Sequence, residues 1–123
     1  KTQIEFVHKC ESDYLTIQAD EEMIEQVLIN LIKNAIEALA HTPNGRIELT
    51  GRYVDNHIIV EVADNGPGII KEAMNRIFVP FFTTKKTGSG IGLSLSRQIM
   101  QMHNGTLTVV SEPDQHTVFT LRF

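Results

Sequence analysis

Asn30 and Asn34 lie one helical turn apart in a stretch, Glu21 to Ala40, whose apolar residues Ile24, Val27, Leu28, Leu31, Ala35 and Leu39 recur at three- and four-residue steps. Both amides therefore fall on the edge of one apolar stripe. Asparagine is a poor residue for a helix interior. Two of them, bordered by Gln26 and Glu37, read either as amide oxygens for a hard cation such as Mg²⁺ or as a solvated helix face. A second segment, Asp64-Asn65-Gly66-Pro67-Gly68-Ile69, follows an alternating strand. A carboxylate fixed at a strand end accepts from an exocyclic amine, which would choose adenine over guanine, and glycines let another group approach the backbone closely. The same residues also spell an Asp-Asn-Gly hairpin turn.

The third segment, Gly88-Ser89-Gly90-Ile91-Gly92-Leu93, leads into a helical pattern. Unpaired backbone N–H groups at a helix start attract phosphate; a flexible linker before a helix is the plainer reading. The spacing is neither of the two common phosphate loops. Leu93 stands where a Gly-x-Gly-x-x-Gly fingerprint needs glycine, and no Gly-Lys pair exists for a P-loop. The fourth segment, Phe78-Val79-Pro80-Phe81-Phe82-Thr83-Thr84-Lys85-Lys86, sets three aromatics and two cations ahead of those glycines. The lysines could reach phosphate oxygens while the phenylalanines anchor a lid, or Phe78 and Phe81 are core and the lysines merely solvated.

The elements that must position these residues follow from periodicity. Ile4–His8 and Tyr14–Gln18 read as a hairpin across the polar Lys9–Asp13. Asp20 caps the long helix Glu21–Ala40, with acidic residues in its first turn. His41–Gly45 is a turn by composition, and Arg46–Tyr53 and His57–Ala63 alternate as two strands joined at Val54–Asn56. Lys71–Ile77 reads as a short helix, Val79–Ser89 as a mobile loop, and Ile91–Met102 as a helix stopped by Asn104-Gly105. Strands Thr106–Ser111 and Thr117–Phe123 flank the turn Glu112–His116. This order predicts an α/β two-layer sandwich, a mixed sheet with helices on one face.

At 123 residues, with 41% apolar, the chain reads as a single domain over 1–123 with its own core. Fifteen acidic residues against eleven basic ones, with no basic run, argue against nucleic-acid binding. Cys10 alone allows neither an internal disulfide nor a multi-cysteine zinc site, and fits a reducing compartment. No apolar run approaches the roughly 18 residues of a membrane span, so no direct membrane contact is expected. A first residue of Lys1 rather than methionine suggests a piece of a longer protein.

In this order and at these separations the segments resemble the catalytic ATP-binding domain of sensor histidine kinases, in the superfamily shared with DNA gyrase B, Hsp90 and MutL. Glu25–Leu39 is similar to its N box, Asp64–Ile69 to its G1 box, Ile77–Lys85 to its F box and Gly88–Leu93 to its G2 box. The resemblance covers nearly the whole chain and implies a Bergerat-type fold with ATP and Mg²⁺ as cofactors. It implies that Asn34 ligates the Mg²⁺ bridging the phosphates, with Asn30 close to them, and that Asp64 accepts the adenine amino group above Gly66, Gly68 and Ile69. Phe82, Thr84, Gly88, Ser89, Gly90, Ile91, Gly92 and Leu93 would line or cover the nucleotide, and Lys85 would meet the γ-phosphate. Thr117 takes the place of the superfamily's Gly-Thr threonine, although His116 rather than glycine precedes it.

The hydrolysing relatives carry a glutamate base where this chain has Asn30, and an amide cannot take a proton from water. The resemblance therefore implies phosphoryl transfer to an imidazole supplied from elsewhere, which asks this domain mainly for positioning. His8, His41, His57, His103 and His116 all lack the family's phosphoacceptor context and are expected to be structural or exposed. The acceptor histidine is expected on a dimerisation domain ahead of Lys1, with a response regulator downstream. This piece is then monomeric and cytoplasmic, whether or not the parent is anchored in the inner membrane.

Overall fold

The computed structural model describes residues 3–12, 15–82 and 91–123. Five strands form one mixed sheet in the order β1-β2-β3-β5-β4: β1 Glu5–Cys10, β2 Arg46–Val54, β3 His57–Asp64, β4 Thr106–Glu112 and β5 His116–Arg122. Helices α1 (Glu21–Ala38) and α3 (Gly92–Met102) pack against it and against each other, and α2 (Lys71–Met74) is a single turn between β3 and α3. The two-layer α/β sandwich expected from the sequence is the fold observed.

Alternation along the strands decides which face meets the helices. Ile47, Val62, Phe119, Leu121 and Leu107 are buried, and the strand registers bring them to the same face. Across from them, Val27, Leu31, Ala35 and Leu39 of α1 and its cap are buried at successive four-residue steps. Because Asp64 continues the Val60, Val62 alternation, the pleat that buries the core also turns a carboxylate inward at the strand's end.

Asp20 caps α1 as expected, its side chain accepting from the Met23 N–H at 3.0 Å. The predicted turn between β2 and β3 forms on Asp55 and Asn56, both in the left-handed region at φ 50° and 66°. The predicted amino-terminal hairpin does not form. Instead β1 runs parallel to β2 at the sheet edge, with Phe6 opposite Ile47 and His8 opposite Leu49, and Leu15–Gln18 belongs to no strand. Parallel neighbours need a crossover, and α1 supplies it; alternation reveals a strand but not its partner. The predicted helix Lys71–Ile77 stops at Met74, after which the Arg76 and Val79 N–H groups turn back three residues to Ala73 and Arg76. The loop predicted over Val79–Ser89 lies outside the described residues from Thr83 onward.

Candidate functional site

Asp64 is 93% buried at the last position of β3, flanked in register by Ile47 on β2 and Thr117 on β5. Its Oδ1 accepts from the Gly66 N–H at 2.9 Å, which fixes the carboxylate over its own loop. A β-carbon on Gly66 would stand 2.9 Å from that oxygen, so this close approach needs glycine. The loop is fastened on both sides. Asn65 accepts from the Arg46 N–H at 2.6 Å and donates to the Asn44 carbonyl at 3.0 Å, tying it to the turn before β2. On the other side the Ile69 N–H donates to Ser111 Oγ at 2.7 Å, and the Asp114 N–H donates to the Pro67 carbonyl at 2.6 Å. Gly68, at φ +78°, lies so near this turn that a β-carbon would meet the Glu112 carbonyl at 2.6 Å.

Thr117 is likewise buried, and its hydroxyl lies 3.1 Å from that of Ser111. Asp64, Gly66, Gly68, Ile69 and Thr117 are therefore brought together at the ends of β3 and β5, beneath the end of α1. The hairpin-turn alternative for Asp64–Gly68 does not hold, since β3 pairs with β5 rather than with the segment that follows it.

Asn30 and Asn34 are half-buried on α1. The Asn30 amide is a bridge: its oxygen accepts from Gln26 Nε2 at 3.0 Å, while its nitrogen donates to the Gly92 carbonyl at 3.3 Å and to Ser96 Oγ at 3.2 Å. It thus binds α1 to the first turn of α3. Ser96 is fully buried, so its hydroxyl acts inside this seam. Leu93 and Phe82 pack onto the core, whereas Ile91 is exposed. The Arg97 guanidinium sits 5.0 Å over the Phe78 ring, joining α3 to the segment that follows α2. Phe78 is thereby part of the packing, whereas Phe81 is exposed at a left-handed φ of 69°. Thr84, Lys85, Gly88, Ser89 and Gly90 lie outside the described residues.

Ser111, Ser96 and Asn65 were not among the residues expected to shape the site. Each acts through a hydrogen bond to a segment 21 or more residues away in the site or its frame, as in Asn65 to Asn44 and Ile69 to Ser111. Only strand register or helix packing reveals such partners. Among the described residues no group of three or more His, Cys, Asp or Glu could hold a metal ion. Of the histidines, His8 and His41 are exposed and the other three partly buried. His57 Nδ1 lies 2.7 Å from the Phe123 carbonyl, and His103 holds contacts through both ring nitrogens, Nε2 accepting from the Asp20 N–H at 3.0 Å and Nδ1 facing the Ile99 carbonyl at 2.9 Å.

Residues 19–123 match the family described as histidine kinase-, DNA gyrase B-, and HSP90-like ATPase. The chain is 37% identical over 121 residues to the signal transduction histidine-protein kinase AtoS of Escherichia coli (strain K12), covering 98% of this chain and 20% of that protein. Among solved structures it is similar to a nucleotide-free catalytic domain of histidine kinase ThkA, with a TM-score of 0.85 and 36% identity over 98% of this chain and 79% of that one. ThkA in complex with the response regulator protein TrrA aligns with a TM-score of 0.80 and 36% identity, over 98% of this chain and 34% of that one. Full-length ShkA in complex with AMPPNP aligns with a TM-score of 0.82 and 32% identity, over 97% of this chain and 25% of that one. The chain thus spans about a fifth of the length of the curated relative AtoS.

Proposed function

Because the chain belongs to the histidine kinase-, DNA gyrase B- and HSP90-like ATPase family, we propose that it is the ATP-binding catalytic domain of a two-component sensor histidine kinase. In this reading it holds Mg-ATP for transfer of the γ-phosphoryl group to a histidine on a dimerisation domain of the same protein. The similarity to ShkA, solved with AMPPNP, supports the nucleotide class, and that to ThkA, solved with a response regulator, supports the downstream partner.

The observation that carries the reading is Asp64. A buried carboxylate, one oxygen fixed by the Gly66 N–H and Thr117 level with it on the next strand, suits an exocyclic amine and opposes a carbonyl. Adenine fits such an acceptor; guanine turns an oxygen toward it. Asn34, one turn beyond Asn30 on α1, offers the amide oxygen that a hard cation takes, and one protein ligand suffices when phosphates supply the others. The bound Mg²⁺ would neutralise charge on the phosphates. Asn30 supports transfer over hydrolysis. Its amide is committed to Gln26, Gly92 and Ser96 and has no basic group for water. Lys85 and the glycines Gly88, Gly90 and Gly92, with Thr84, Ser89 and Ile91, complete the proposed phosphate cover.

Calorimetric titration with ATP and GTP, with and without Mg²⁺, tests the site. ATP is expected to bind more tightly than GTP, with Mg²⁺ assisting. Asp64→Asn should weaken ATP by roughly 10- to 100-fold, the loss expected for a hydrogen bond to a charged acceptor. Equal affinity for ATP and GTP, or an Asp64→Asn variant that binds as well as the parent, would sink the adenine assignment.

A further inference from the structure

Ser111 Oγ reaches both the loop behind Asp64 and the threonine level with it. It donates to the His116 carbonyl at 3.1 Å, accepts from the Ile69 N–H at 2.7 Å, and lies 3.1 Å from Thr117 Oγ1. A serine hydroxyl has one proton and two lone pairs. With its proton given to His116, Ser111 can only accept from Thr117, so the Thr117 hydroxyl points its proton at β4. Strand β5 lies between β4 and β3, and the Thr117 lone pairs are thereby left on the Asp64 side. Asp64 and Thr117 occupy paired positions on the core face. Two acceptors side by side match an amine with two N–H groups, or a water that donates to both, and reject a carbonyl.

We propose that Ser111 is a positioning residue that sets base selectivity, by holding Thr117 as an acceptor beside Asp64. The inference rests on Asp64 being the adenine acceptor and extends it to a residue on another strand. Without the Ser111 hydroxyl, Thr117 is free to turn its proton toward Asp64, and the Ile69 N–H loses its acceptor. The selective part of binding then falls while the phosphate part stays.

The test titrates the parent chain, Ser111→Ala and Ser111→Thr with ATP and with purine riboside triphosphate, which lacks the 6-amino group, and follows hydrogen exchange at the Ile69 amide. Ser111→Ala is expected to lose roughly tenfold in ATP affinity, the scale of one hydrogen bond. Its affinity for the amine-free analogue should stay within about twofold, and Ile69 exchange should quicken. Ser111→Thr keeps the hydroxyl and should keep the ATP preference. An unchanged ATP preference in Ser111→Ala, equal losses for both nucleotides, or a folded Ser111→Thr that behaves like the alanine variant would each overturn the proposal. A parent chain that does not prefer ATP over the amine-free analogue fails earlier, at the reading of Asp64 itself.

Discussion

Gly68 combines a left-handed φ of +78° with a wall of backbone, the Glu112 carbonyl, 2.6 Å from where a β-carbon would stand. Either condition alone disfavours a side chain; together they bar alanine unless the loop lifts away from the β4–β5 turn. Gly68→Ala should therefore cost about 1–3 kcal/mol of stability and weaken ATP binding, as checked by urea denaturation beside calorimetry. A variant as stable as the parent would mean that the loop moves freely, contrary to its bonds from Ile69 to Ser111 and from Asp114 to Pro67. At this scale the sequence discloses residues whose type is unusual where they stand. Asp64 ends an apolar alternation, the glycines cluster after it, and two asparagines stand inside a helix. Ser111 is invisible by the same criterion, because serine near a strand end is ordinary and its value lies in facing Thr117 across one ladder and Ile69 across a loop.

Between elements, the seam of α1 with α3 shows how a polar group can join two helices that the apolar core only brings near. The Asn30 amide uses both ends, accepting from Gln26 along its own helix and donating to Gly92 and Ser96 across the gap. Ser96 is fully buried, so removing its donor leaves a lone pair of its hydroxyl without that partner. Asn30→Ala should destabilise by about 1–3 kcal/mol. Asn30→Asp should cost at least as much, because a half-buried carboxylate has no proton for the Gly92 carbonyl and sets its oxygen against that one, even where Ser96 turns its hydroxyl to donate. Chemical denaturation of the two variants checks the order; an aspartate variant clearly more stable than the alanine one would dismiss the bridge. A second tie, from the Asp20 N–H to His103 Nε2, fastens the cap of α1 to the end of α3. Periodicity discloses both helices and their buried faces, since each repeats its apolar residues over three turns or more. It does not disclose these ties, nor the parallel pairing of β1 with β2, because both depend on what stands opposite.

Across the whole molecule, one sheet face carries the helices and the other carries charge. Lys9, Glu48, Arg46, Arg52 and Glu61 form ion pairs at 3.2 to 3.6 Å, all at partly exposed side chains, which together contribute little to stability but keep the open face wet. The nucleotide would therefore bind at the helix-side end of β3 and β5, where Asp64 and Thr117 are buried. Phosphoryl transfer needs an imidazole nitrogen at the γ-phosphate. Both His103 nitrogens are engaged with backbone, His57 Nδ1 is engaged with the Phe123 carbonyl, and His8 stands on the edge strand β1. In the proposed reading the acceptor histidine stands on the dimerisation domain, so binding and transfer should separate in this chain. ATP at about one hundred times its dissociation constant should raise unfolding free energy by about 2.7 kcal/mol through mass action alone. The same mixture, labelled at the γ-phosphate, should leave no acid-labile, base-stable phosphohistidine on the chain until a histidine-bearing dimerisation domain is added. Histidine labelling of the chain alone would show that it carries its own acceptor, and stabilisation by ATP that Asp64→Asn leaves untouched would place the nucleotide elsewhere on the molecule.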